Sequence, residues 1–164
     1  MQVAIISDSH IPDREESIPA ALRERIATAD HVLHAGDFTS TDTLATVREL
    51  ASELTAVHGN VDGDDIDLPS VASVELGGVT FVVTHGTVRS LEDWYDTIAE
   101  TAREHADEPR VGVGGHTHRL EDLVHDGVRL LNPGSVTGAD PATAATMLTA
   151  EVEAGEVEVT VHER

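Results

Sequence analysis

The sequence predicts an α/β fold in one domain. Three observations carry this. The first third of the chain alternates short apolar runs with segments of helical spacing. The remainder holds paired apolar runs that flank two-residue turn signals. No linker, internal repeat or low-complexity tract interrupts the 164 residues, a length that supports one core rather than two.

Val3 to Ile6 is a continuous apolar run and suits a buried strand. Ile18 to Ala29 has helical spacing at Ile18, Leu22 and Ile26. His31 to Ala35 is a second strand. Thr41 to Ser52 reads as a helix with Leu44, Val47, Leu50 and Ala51 on one face, and Leu54 to Val57 as a third strand. Strand, helix, strand, helix, strand implies parallel pairing through right-handed crossovers. Val71 to Leu76 and Val79 to Thr84 then flank Gly77-Gly78, a hairpin signal. Leu91 to His105 is a helix with Trp94, Ile98 and Ala102 in register, followed by a strand over Arg110 to Val113. Leu120 to His125 and Val128 to Leu131 flank Asp126-Gly127. Ala145 to Val152 and Val157 to Val161 flank Ala154-Gly155. The expected architecture is a sheet with later hairpins, covered by helices.

Composition excludes several classes. There is no cysteine, which removes disulfides, thiolate metal sites and cysteine nucleophiles. No run approaches the roughly 18 apolar residues of a membrane helix. The N-terminal stretch meets Asp8 too early for a signal peptide, so a cytoplasmic address is expected. Asp plus Glu is 31 against 10 Arg and no Lys, and the formal net charge is −21. Such a surface repels long nucleic acid and anionic membranes at low salt. It suits a salt-rich, halophilic cytoplasm, where the Debye length falls to about 3 Å at 1 M.

The polar residues gather where strands end. Asp8-Ser9-His10, Gly36-Asp37, Gly59-Asn60, Thr84-His85-Gly86 and Gly114-Gly115-His116-Thr117-His118 each follow a predicted strand. Ligands bind at the carboxyl ends of parallel strands in open α/β sheets. Five such tips bring Asp8, His10, Asp37, Asn60, His85, His116 and His118 to one rim. Seven nitrogen and oxygen donors exceed one tetrahedral ion and match two ions sharing a bridge. Taken singly, each fragment has a structural explanation, as a helix cap, a turn residue or a packed histidine. His34 and His58, just upstream of these fragments, are candidates to hydrogen-bond the ligands from behind or to pack within strands.

These fragments, with Asn132-Pro133-Gly134-Ser135, resemble the calcineurin-like metallophosphoesterase superfamily, and more closely its small single-domain prokaryotic phosphodiesterases. The matching stretches run from Asp8 to Ser135. The resemblance implies a two-sheet β-sandwich flanked by helices. It implies that Asp8, His10 and His118 hold one metal, that Asn60, His85 and His116 hold a second, and that Asp37 bridges. Asp37, Asn60 and His85 take a catalytic role. Manganese is the expected ion, with nickel, iron, cobalt or zinc as substitutes. The implied reaction is in-line attack on a small phosphate ester by a hydroxide bridging the two metals. Two dications also reverse locally the field of a −21 protein, so an anionic substrate is compatible with it.

The chain departs from the wider family in three places. Val61 stands where many relatives carry a leaving-group histidine, so esters with good leaving groups are favoured. Asp62 is a substitute acid on this reading, or a turn or supporting residue. Leu120 replaces a frequent Pro. The segment Val136 to Ala142 lacks an Arg that relatives often place there, so the usual phosphate contact from that Arg is lost. The competing readings are a phosphomonoesterase or nucleotidase on the same site, and a non-catalytic scaffold like a eukaryotic retromer subunit. Self-association stays open.

Overall fold

A computed structural model describes residues 1–164. Its elements are β1 (Gln2–Ile6), α1 (Ala20–Thr28), β2 (His31–His34), α2 (Thr41–Leu50), β3 (Leu54–Ala56), β4 (Val71–Leu76), β5 (Val79–Thr84), α3 (Leu91–His105), β6 (Arg110–Val113), β7 (Leu120–His125), β8 (Val128–Pro133), β9 (Thr146–Glu153) and β10 (Glu156–Glu163). They form two five-stranded sheets, ordered β10-β9-β1-β2-β3 and β4-β5-β6-β8-β7.

Each sheet has three adjacent parallel strands. β1, β2 and β3 run parallel in the first, as do β5, β6 and β8 in the second. Antiparallel strands complete both sheets: β9 lies between β1 and its own hairpin partner β10, and β4 and β7 form hairpins with β5 and β8. The expected α/β class is therefore present as two mixed sheets packed face to face.

Strand alternation builds the layers. Val3, Ile5 and Leu33 face Phe81, Val83, Val113 and Leu131 across the sandwich, in one fully buried cluster. Ala4, Ile6 and Val32 point the other way, onto Leu22, Ile26, Leu44 and Val47 of α1 and α2. Val82 and Leu130 pack on Trp94, Ile98 and Ala102 of α3. The order is helix, sheet, sheet, helix.

The boundaries differ slightly from the sequence reading. α1 begins at Ala20, not Ile18, because Pro19 disfavours helical backbone in the residue before it. Ile18 still packs in the same core. α2 stops at Leu50 because Ala51 turns extended, with ψ 139°. β8 runs on to Pro133, which pairs with Leu120. Ser40 and Ser90 start α2 and α3, each hydroxyl accepting from the backbone N–H three residues on at 3.1 Å.

Candidate metal centre

Both parallel sets of strands end at one edge of the sandwich. Asp8 and His10 follow β1, Asp37 follows β2 and Asn60 follows β3; His85 follows β5, and His116 and His118 follow β6. The chain turns sharply there. Eight residues other than glycine have positive φ, and six of them are Asp8, His10, Asp37, Thr39, His116 and His118, at φ 48–76°. The other two, Asp126 and Ala154, sit in hairpin turns. Left-handed backbone is costly for residues with a Cβ and collects at functional sites. Here it aims side chains back into the rim. Close approach also demands glycine: a Cβ on Gly59 would overlap Asp37 Oδ1, and one on Gly115 would overlap Ser7 Oγ.

The side chains converge. Asp8 Oδ1 stands 3.3 Å from His118 Nε2, 3.7 Å from His10 Nε2 and 3.9 Å from His85 Nε2. Asp37 Oδ2 stands 3.6 Å from His10 Nε2 and 3.1 Å from His85 Nε2, between the two sides of the site. Asn60 Oδ1 is 2.9 Å from His85 Nε2 and 3.2 Å from His116 Nδ1. His10 and His118 face each other through Nε2 atoms 3.2 Å apart. Donors about 2.0–2.2 Å from a shared ion are separated by about 3.0–3.5 Å, the range of the closest pairs here.

The tautomers decide what these contacts are. His85 Nδ1 donates to the Ala35 carbonyl at 2.6 Å, and His118 Nδ1 donates to the Ala139 carbonyl at 2.8 Å. His116 Nε2 donates to the Val88 carbonyl at 3.1 Å. When these rings are neutral, the opposite nitrogen of each is a lone pair facing other lone pairs. Asp8 Oδ1 is buried with no hydrogen-bond partner. Such a cluster calls for a cation, and its nitrogen and oxygen donors suit a divalent transition metal. Asp8, His10 and His118 could hold one ion, as could Asp8, Asp37 and His85, and Asp8 belongs to both groups.

Electrostatics agree. Burial pushes the Asp8 carboxyl up, but the adjoining His10 and His118 rings and the charge of His85 hold it below the usual carboxylate range. Burial pushes His85 down, yet the carboxylates of Asp37 and Asp8 outweigh it and raise it to about 9. His118 is raised against burial by Asp8 and the Ala139 carbonyl, and Arg14 opposes this. Without metal, a proton on His85 stands in for part of the missing positive charge.

A supporting layer fixes these side chains. Asp8 Oδ2 accepts from Ser7 Oγ at 2.7 Å and from the His116 N–H at 3.0 Å. Asp37 Oδ1 accepts from the Val61 N–H at 3.0 Å. The Asp62 carboxylate accepts from the N–H groups of Asp37, Thr39 and Gly59 at 2.8–3.0 Å, tying two ligand loops together. His34 accepts from the Gly36 N–H, donates to Ser9 Oγ at 2.8 Å and stacks on Phe38. Burial lowers His34 to about 3, so it stays neutral. His58 turns away and donates to the Gly63 carbonyl at 3.0 Å. Asn132 donates to the Gly115 carbonyl and Thr117 Oγ1, and Ser135 Oγ donates to the Asp8 carbonyl. Ser7 and Trp94, whose Nε1 donates to the Gly115 carbonyl at 2.9 Å, escaped the sequence reading. Both look like ordinary core residues there.

A two-sheet sandwich with a carboxylate–histidine cluster at its strand ends defines a class of metal-dependent hydrolases. The chain belongs to the calcineurin-like phosphoesterase superfamily, whose domain matches residues 1–155. It is 36% identical over 143 residues to a probable metallophosphoesterase of Methanothermobacter thermautotrophicus, covering 84% of this chain and 78% of the relative. Among solved structures it resembles Vps29 of Entamoeba histolytica complexed with Zn²⁺, at TM-score 0.75 and 26% identity, over 99% of both chains. It shares its fold with a novel archaeal phosphodiesterase, at TM-score 0.70 and 24% identity, over 99% of this chain and 100% of the other. Membership gives the coarse activity, metal-dependent hydrolysis of phosphate esters, and no helix is long and apolar enough to cross a membrane.

Proposed function

We propose that the chain is a phosphodiesterase working with two divalent ions, manganese foremost, in a salt-rich cytoplasm. The observation that carries the reading is Asp8 Oδ1, buried, unpartnered and facing the Nε2 atoms of His10, His85 and His118. Asp8, His10 and His118 would hold one ion and Asn60, His85 and His116 the other, with Asp37 serving both. When bound, the ions supply Lewis-acid charge and acidify water to near neutral pH.

The protein's own part is orientation. The carbonyls of Ala35, Ala139 and Val88 each fix one histidine tautomer. Asp62 holds the Asp37 and Asn60 loops at one separation. Both of its oxygens already accept backbone N–H groups, which speaks against a role as leaving-group acid. Val61 is 42% exposed at the rim and carries no proton to give. Esters whose leaving group needs no protonation are therefore the preferred substrates. The shared fold with the archaeal phosphodiesterase supports the diester. The likeness to Vps29 favours a scaffold as second reading, though that Vps29 was itself complexed with zinc.

The test is hydrolysis of bis(p-nitrophenyl) phosphate and p-nitrophenyl phosphate by chelator-stripped protein in molar KCl, with and without manganese. Metal-dependent turnover, faster on the diester and lost in Asp37→Asn and His116→Ala, is expected. Faster turnover of the monoester would make the chain a monoesterase. A folded protein inert with every divalent ion would leave the scaffold.

A further inference from the structure

Arg14 follows the ligand loop of β1 and belongs to no role assigned above. The N–H groups of Arg14 and Glu15 both donate to the His10 carbonyl, at 2.9 and 3.1 Å, so the chain folds back on itself directly after a metal-ligand candidate. The Arg14 guanidinium then crosses to another loop, where Nη1 donates to the Asp140 carbonyl at 2.7 Å. The neighbouring carbonyl of that loop, Ala139, is the one that receives His118 Nδ1. Arg14 and His118 thus hang from adjacent carbonyls of one loop.

That loop is held firmly. Ser135 Oγ accepts from the Ala139 N–H at 2.9 Å, and Thr137 Oγ1 donates to the Ser9 carbonyl at 2.7 Å. Arg14 is exposed, and none of the ion pairs in the structure uses it. One of the five guanidinium N–H donors is spent on Asp140, which leaves four for an anion. Arg119, next to His118 in sequence, instead leans toward Glu121 at 4.0 Å.

We propose that Arg14 is a substrate-binding residue: its guanidinium takes a phosphoryl oxygen of the ester beside His118. This rests on the phosphoesterase reading and deepens it. Arg14 reaches the segment after Ser135 from the other end of the sequence, at the Asp140 carbonyl. A guanidinium forks onto two phosphate oxygens, which an ammonium cannot do. In a protein of net charge −21, a cation held on the loop that carries His118 also gives an incoming anion a local target.

The experiment uses the full chain loaded with manganese in molar KCl and compares wild type, Arg14→Gln, Arg14→Lys and Arg48→Gln. Arg48 is exposed on α2 and controls for loss of one surface charge. Inorganic phosphate binding is read by calorimetry, and KM and kcat on bis(p-nitrophenyl) phosphate are read separately. Arg14→Gln is expected to weaken phosphate binding and raise KM by about tenfold, the scale of one lost charge-assisted contact. Its kcat should change far less, with manganese affinity unchanged and Arg48→Gln like wild type. Arg14→Lys should lose about threefold because the fork is gone. Should Arg14→Gln not fold, Arg14→Lys decides: wild-type phosphate affinity in it overturns the proposal. Wild-type affinity in a folded Arg14→Gln overturns it too, as does equal weakening in Arg48→Gln or a wild type that binds no phosphate. If wild type hydrolyses neither ester but Arg14→Gln alone loses phosphate binding, the diesterase reading fails and the anion site stands.

Discussion

Asp8 and His85 show how single residues encode a demand for positive charge. His85 is raised to about 9 by Asp37 and Asp8 against the pull of burial. A histidine bound more tightly to its proton when folded stabilises the fold below its unfolded value near 6.5. That contribution is lost as pH rises through about 9. A metal ion held by His85 Nε2 would displace this proton, so its binding would release protons and tighten with pH. Manganese is therefore expected to raise Tm more at pH 9 than at pH 6. Calorimetric scans at both values check this, and an equal gain would show that His85 holds no proton in competition with metal. His34 acts in the opposite sense. Lowered to about 3 by burial, it costs stability as pH falls from about 6.5 towards that value. The ligand candidates are legible in the sequence because each follows an apolar run. Arg14 is not, since its partner Asp140 lies 126 residues away and is met through a carbonyl that any residue would offer.

Among the elements, local signals read well and long-range pairing does not. Gly77-Gly78, Asp126-Gly127 and Ala154-Gly155 all have positive φ, as two-residue hairpins require. Nothing in those turns tells that β9, from the end of the chain, lies beside β1. Apolar strands of similar composition can pair in many orders, and only the packed sandwich selects one. The role of Asp62 is hidden for the same reason. Gly59-Asn60-Val61-Asp62 reads as a turn, yet its last carboxylate reaches 25 residues back to the Asp37 N–H. Truncation in Asp62→Ala leaves three backbone donors of two loops without their acceptor. We expect a loss of about 3 kcal/mol in the metal-free protein by denaturant unfolding, together with weaker manganese binding. Wild-type stability in this variant would mean that water replaces the carboxylate at no cost.

For the whole molecule, charge dominates. The register of β9 and β10 sets Glu151 opposite Glu158 and Glu153 opposite Glu156. Like charges placed directly across a strand pair destabilise it, and 31 acidic residues against 10 basic ones offer few partners. Screening relieves this repulsion. Tm in 3 M KCl is expected to exceed that in 0.1 M KCl by at least about 10 °C. Equal values would show that the acidic surface is no adaptation to salt.

The two sheets share the centre unequally in sequence. Asp8, His10, Asp37 and Asn60 come from the first three strands, and His85, His116 and His118 from the second sheet. The first sheet alone supplies two carboxylates, one amide and one histidine. The full donor set exists only once β6 has docked across the sandwich. An ion held by donors from both sheets would therefore tie the two halves of the sandwich together at their seam.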